Sequence, residues 1–171
     1  MSDKLDNIWI RVKKMAGQCA ANTDLEDLKA SAKTAQGRID KVLMGGKLLQ
    51  SDSTVFNKLQ KANEGLGAIG EGLEKIQSIC INITAAAQIH DAIKVLSDDQ
   101  VLYQDPDAAA AAFDTLFQGF GKVCGMLPPP AKQWAQFFEQ FNLFSNMQQK
   151  VYKPYFQRLN DARDGKGAYS N

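Results

Sequence analysis

The sequence is poor in the residues that carry chemistry. Its 171 positions include one histidine, three cysteines and five prolines. A lone histidine, His90, excludes every site built on two imidazoles, the H-E-x-x-H zinc arrangement among them. A Cys–His nucleophile pair through His90 is a poor fit for Cys80, which lies ten residues away on the same predicted helix, about 15 Å along its axis. Cys19 or Cys124 would have to be delivered to it by the fold. The simpler reading leaves His90 at a helix edge beside Asp91. No Ser-x-x-Lys sequence occurs. Cys19, Cys80 and Cys124 are odd in number, widely spaced and set among small or apolar neighbours. They read as buried thiols rather than a disulfide framework, and so as the mark of a chain that folds in a reducing cytosol.

An excess of one charge is also missing. Twenty Lys and Arg stand against nineteen Asp and Glu. Nucleic-acid binding needs a concentrated positive field, so that class is excluded. The short knot of Arg11, Lys13 and Lys14 reads as a solvated helix face. Long apolar runs are absent too. The longest uncharged stretch, Ile76 to His90, has 15 residues and contains Gln77, Asn82 and Gln88, whereas a spanning helix takes about 20 mostly apolar residues. The start, Met1-Ser2-Asp3-Lys4, is too polar for a secretory signal. A product made in the cytoplasm, leaving it if at all by a non-classical route, is the expectation. The acidic group Asp98, Asp99, Asp105 and Asp107 has Tyr103 and Pro106 where a calcium loop would need alternating oxygen ligands and a glycine. It reads as helix caps and solvated loop. No catalytic, cofactor-binding or metal-binding residue is therefore predicted.

What the chain does have is helical spacing, almost throughout. Leu5, Ile8, Trp9, Val12, Met15 and Cys19 share one face. Thr23 and Glu26 make a capping box. Leu25, Leu28, Ala32, Ala35, Ile39 and Val42 then follow a heptad up to Gly45-Gly46, where a stop is expected. A longer stripe runs from Val55 through Leu59, Leu66, Ile69, Leu73, Ile76, Cys80, Ile83, Ile89 and Ile93 to Leu96. Asp105-Pro106-Asp107 begins another helix, buried along Phe113, Leu116, Phe117, Phe120 and Cys124. Pro128-Pro129-Pro130 breaks it. A last helix carries Trp134, Phe137, Phe138, Phe141 and Phe144, then Val151, with Pro154 kinking or ending it. This pattern predicts an all-α fold: one antiparallel bundle of five or six helices over residues 1–163, followed by a flexible tail, 164–171.

Two features stand apart. Gly65, Gly67, Gly70 and Gly72 interrupt one stripe at a cost of about 4 kcal/mol relative to alanines in a helix. Gly65 to Gly70 match G-x-G-x-x-G, but a polar, helix-forming segment precedes them where a dinucleotide site needs a strand. They form either a hinge or a seam that lets another helix approach closely. In the last helix Trp134 and Phe138 belong to the main apolar face, whereas Leu143 and Met147 fall away from it. That helix is either buried all round or offers a second surface.

The order of a Gly-punctuated helix, Gln88-Ile89-His90-Asp91-Ala92-Ile93, Asp105-Pro106-Asp107-Ala108-Ala109-Ala110, Leu127-Pro128-Pro129-Pro130 and an aromatic helix resembles small helical proteins that bacteria export as cargo of type VI secretion systems. The similar stretch covers residues 55–150 and includes no catalytic signature. The resemblance implies a toxin without a classical signal peptide, partnered by secretion machinery or an immunity-type protein, in some members permeabilising a membrane. Without a 20-residue apolar span, pore formation would require the bundle to open. The expected function is a non-enzymatic helical effector that works through its amphipathic faces. The alternative is an adaptor that binds a partner protein in a groove between helices.

Overall fold

The computed structural model describes residues 25–48, 53–144 and 149–163. These residues are all-α: α1 (Leu25–Leu48), α2 (Thr54–Glu74), α3 (Ile83–Leu96), α4 (Asp99–Gln104), α5 (Pro106–Cys124), a 3-10 turn (Ala131–Trp134), α6 (Ala135–Glu139) and α7 (Gln149–Arg163). The expected apolar face of residues 5–19, the cap at Thr23, Met147 and the tail 164–171 lie outside the described residues.

The helix starts follow local chemistry. Ser53 Oγ accepts from the Phe56 amide, Asn82 Oδ1 from Thr84, Asp98 Oδ1 from Gln100 and Asp105 Oδ1 from Ala108. Each bond satisfies an amide that a helix start leaves unpaired. Pro106 then takes the first position of α5, where a missing N–H costs nothing.

Two helix pairs and a cap of aromatics make the bundle. α1 runs beside α2, and α5 lies along α3. Leu28, Ala32, Ala35, Ile39 and Val42 are all buried in one core with Val55, Leu59, Leu66, Ile69 and Leu73 of α2. The heptad seam is thus used up within the chain. Phe113, Phe117 and Phe120 of α5 have no exposed surface and form the centre of the core.

The structure corrects the sequence reading in five places. The stripe from Val55 to Leu96 is not one helix. An irregular segment, residues 75–82, divides it, with Ile79, Cys80 and Ile81 buried all the same. α1 passes through Gly45 to Leu48, because Gly45 is a contact rather than a cap: a β-carbon there would lie 2.6 Å from Leu159 Cδ2 of α7. Pro154 neither ends α7 nor lies at its edge. It lies inside the helix on an exposed face and forgoes one backbone bond there. The aromatic helix is broken into the 3-10 turn, α6 and an irregular stretch, 140–144. Finally, Cys80 is disulfide-bonded, while Cys124 is a free, buried thiol. Sequence spacing between cysteines does not say which ones the fold brings together.

Candidate functional site: an aromatic arm seated on glycines

The two features that stood apart in the sequence meet in space. Residues 131–144 form an arm of two short helical pieces and an irregular end, and the arm lies across α2 and α5. A β-carbon at Gly65 would lie 2.6 Å from Phe138 Cζ and 2.7 Å from Trp134 Cε3. At Gly72 it would be 3.0 Å from the Ala131 methyl. Gly65 and Gly72 are therefore the floor on which the arm rests, and α2 is unbroken through them. At these two positions the glycines are closely packed and the helix is continuous.

Gly67 and Gly70 do something else. Gly70 would meet nothing within 4 Å, and Gly67 only the tip of Gln36 at 3.5 Å. Both line an open groove of about 500 Å³ between α1 and α2, with Ala30, Ala32 and a rim of Lys29, Lys33, Glu71 and Glu74.

The arm's rings interlock. Phe138 is fully buried between Phe117 and Phe137, with centroids 5.5 and 5.2 Å away. Phe141 meets Phe117 edge-on at 4.5 Å. Trp134 and Phe137 are half-buried at the outside, edge to face at 5.5 Å. Lys61 of α2 reaches over the Phe137 ring at 5.0 Å, a cation–π contact worth about 0.5–1 kcal/mol at an exposed site. Leu143 has no exposed surface, so it is core rather than a second binding face. Phe144, on the same predicted stripe as the buried rings, is 43% exposed. The helix break at 140–144 changes the phase of both residues.

Two residues that hold the arm escaped the sequence reading. Asp114 of α5 is buried, and its carboxylate accepts from the backbone amides of Leu143 at 2.6 Å and Phe144 at 2.8 Å. Burial pushes its carboxyl up to about 6, against the pull of those two amides and of Lys58. The signal was available: Asp114 is the one acid between Ala108 and Cys124. Gly121 is the second. A β-carbon there would lie 2.9 Å from the Glu139 backbone nitrogen, so α5 and α6 touch backbone to side chain position. Around them, Gln118 Nε2 donates to the Phe141 carbonyl at 3.2 Å and Lys58 Nζ to the Asn142 carbonyl at 3.3 Å.

Other candidate groups are already occupied. His90 is largely exposed, with Nδ1 3.5 Å from Asp91 Oδ1. Asp98 and Asp105 cap helices. Asp99 pairs with Arg38 and Lys41, and the Arg38 hydrogen bond holds its carboxyl below the usual range. Asp107 accepts from Tyr152 Oη at 2.6 Å and from Lys153, and the tyrosine hydroxyl is what lowers it most. Among the described residues no three His, Cys, Asp or Glu side chains group as a metal site. Burial pushes the Cys124 thiol up to about 12, which keeps it out of the thiolate form.

Comparison with known proteins adds no relative: no protein family, no curated protein and no solved structure matches the chain.

Proposed function

We propose that this chain is a non-enzymatic effector whose working part is the aromatic arm, residues 131–144, released from its glycine seat to enter a membrane interface. The observation that carries this reading is the seat itself: an arm bearing four aromatic rings, packed closely on Gly65, Gly72 and Gly121 and held by a short list of replaceable contacts. The arm's helical pieces, Ala131–Trp134 and Ala135–Glu139, are too short to be stable alone. Its position therefore depends on Asp114, Gln118, Lys58 and the ring packing. Released, it presents Trp134, Phe137, Phe138 and Phe141 together, with Lys132 beside them. Tryptophan and phenylalanine with flanking basic residues are what membrane interfaces accept. No helix among the described residues is long and apolar enough to cross a membrane. Action would be by insertion into the interface rather than by a spanning helix. Delivery from one bacterium into another, as type VI cargo, belongs to this proposal and rests on the resemblance of residues 55–150.

Dye-loaded vesicles test it. The purified chain is expected to bind and leak vesicles, and Gly65→Ala, which loosens the seat, is expected to leak them faster. If neither binding nor leakage occurs across a range of pH and lipid charge, the membrane reading fails.

One observation favours a second reading. The open groove of about 500 Å³ over Gly67 and Gly70 is the kind of interhelical surface an adaptor would use. A bulky residue at Gly70 would abolish partner capture in that case and leave vesicle leakage unchanged.

A further inference from the structure

α7 packs on both α1 and α4. Gly45 lets it come close to α1, with Leu159 Cδ2 where a β-carbon would stand. Between them the three helices leave a cleft of about 310 Å³, at the small end of the range for ligand pockets. Its buried and half-buried lining is Leu159, Gly45, Ala162 and Tyr103, apolar save for one hydroxyl. The exposed lining is Met44 and three charges, Lys41, Asp99 and Arg163. An apolar base under a charged rim suits a ligand with a charged head and an apolar body.

The rim charges do not cancel. Asp99 is engaged by Arg38, which also donates from Nε to the Leu96 carbonyl at 2.6 Å. Lys41 Nζ meets the same carboxylate at 3.5 Å. One acid of α4 therefore faces two cations of α1, and α7 adds a third. Arg163 lies 4.4 Å from the centre of the Tyr103 ring and donates to Asn160 Oδ1. The excess is positive, and a low-dielectric wall beside it strengthens its pull on an anion. The Lys41 side chain is 49% exposed, so its ammonium can turn to a ligand while Arg38 keeps Asp99. Met44 is 66% exposed. Its unbranched thioether chain adapts to the shape of an apolar body, and covering one would take it out of water.

We propose that the cleft between α1, α4 and α7 binds a small amphiphilic anion, a carboxylate on a short apolar chain, with Lys41 and Arg163 at the headgroup and Met44, Leu159 and Ala162 around the chain. The cleft shares no residue with the aromatic arm or its glycine seat, so this site stands or falls apart from the membrane reading.

Titration of the nitrogen-15-labelled full-length chain with octanoate, octanol and octylamine, followed by amide NMR, tests it. Octanoate is expected to shift the Gly45 and Ala162 amides saturably with a Kd of about 1 mM or tighter, a value within reach of a ligand of that size. Octanol and octylamine carry the same chain with no charge or the opposite one. Both should bind about tenfold more weakly, the worth of one hydrogen bond to a charged group. Lys41→Gln should weaken octanoate by a similar factor and leave octanol unchanged. Ala162→Phe, at a half-exposed position in the last turn of α7, should fill the cleft and abolish the saturable shifts. The Lys41→Gln comparison decides the matter even if that bulkier variant unfolds. No saturable shift at Gly45 or Ala162 overturns the proposal. So does octanoate binding no tighter than octanol or octylamine, an affinity unaltered by Lys41→Gln, or binding that survives in folded Ala162→Phe.

Discussion

Replacing Gly65 and Gly70 by alanine, one at a time, should affect stability differently. Both glycines lie inside α2, five residues apart. By helix propensity each substitution should gain about 1 kcal/mol. At Gly70 nothing stands within 4 Å of the new methyl, so that gain is realised. At Gly65 the methyl would come within 2.6 to 2.7 Å of Phe138 and Trp134. Phe138 is fully buried among three other rings and cannot swing aside. Overpacking of this kind costs about 1–3 kcal/mol, which cancels or outweighs the propensity gain and leaves a net loss of up to about 2 kcal/mol. The two variants should then differ by roughly 1–3 kcal/mol, or about 2–12 °C in thermal midpoint for a domain of this size. Gly121→Ala should be worse than Gly65→Ala, because its methyl meets a backbone nitrogen rather than a ring. Urea unfolding followed by far-UV circular dichroism reads all three. A Gly65→Ala protein as stable as Gly70→Ala would mean that the arm does not sit on Gly65, and the proposed seat would go with it.

Further predictions concern the contacts around the arm and the last helix. Asp114 has a folded-state carboxyl raised to about 6 from an ordinary value of 3.8, so its contribution to stability is fully present below about pH 4 and is lost as pH rises through 6. That shift is worth up to about 3 kcal/mol; Asp114→Asn should flatten the profile between pH 4 and 7, and parallel profiles for the two proteins would refute the assignment. The sign also means that acid does not unlatch the arm through this group. Tyr155 and Tyr152 should respond oppositely to loss of the hydroxyl. Tyr155 Oη is buried without a partner, so Tyr155→Phe should be neutral or stabilising by about 1 kcal/mol in urea unfolding. Tyr152→Phe, which deletes the bond to Asp107, should lower the unfolding midpoint. Arg38→Ala removes the bond from Nε to the Leu96 carbonyl at 2.6 Å and the pairing with Asp99. It should cost about 1–3 kcal/mol by the same unfolding assay, and a cost near zero would show that α1 is not tied to the end of α3.

The four glycines of α2 show what the sequence could and could not disclose. Periodicity predicted the helix through them, and the helix is there, because Leu66, Ile69 and Leu73 keep a single phase into the core. Periodicity also found the helices on either side, whose caps at Ser53, Asn82, Asp98 and Asp105 are local in sequence. It missed the break at 75–82, since Ile79, Cys80 and Ile81 are buried there without helical geometry. An apolar residue records burial, not backbone shape. The disulfide at Cys80 was missed for the related reason that it depends on which segments meet. Helical spacing puts Gly65 and Gly72, seven residues apart, on one edge of the stripe, but nothing local says what that edge faces. Gly65 and Gly72 face the arm and Gly67 and Gly70 face the groove because the arm returns across α2 from 59 to 73 residues later in the chain, and that return is set by tertiary packing. Asp114 was legible in principle: a carboxylate inside an apolar helix costs several kcal/mol unless something binds it, so its presence announces a partner. The partner proved to be the backbone of the arm itself. The same acid that breaks the apolar pattern of α5 thus marks where the arm is held, and where its release would begin.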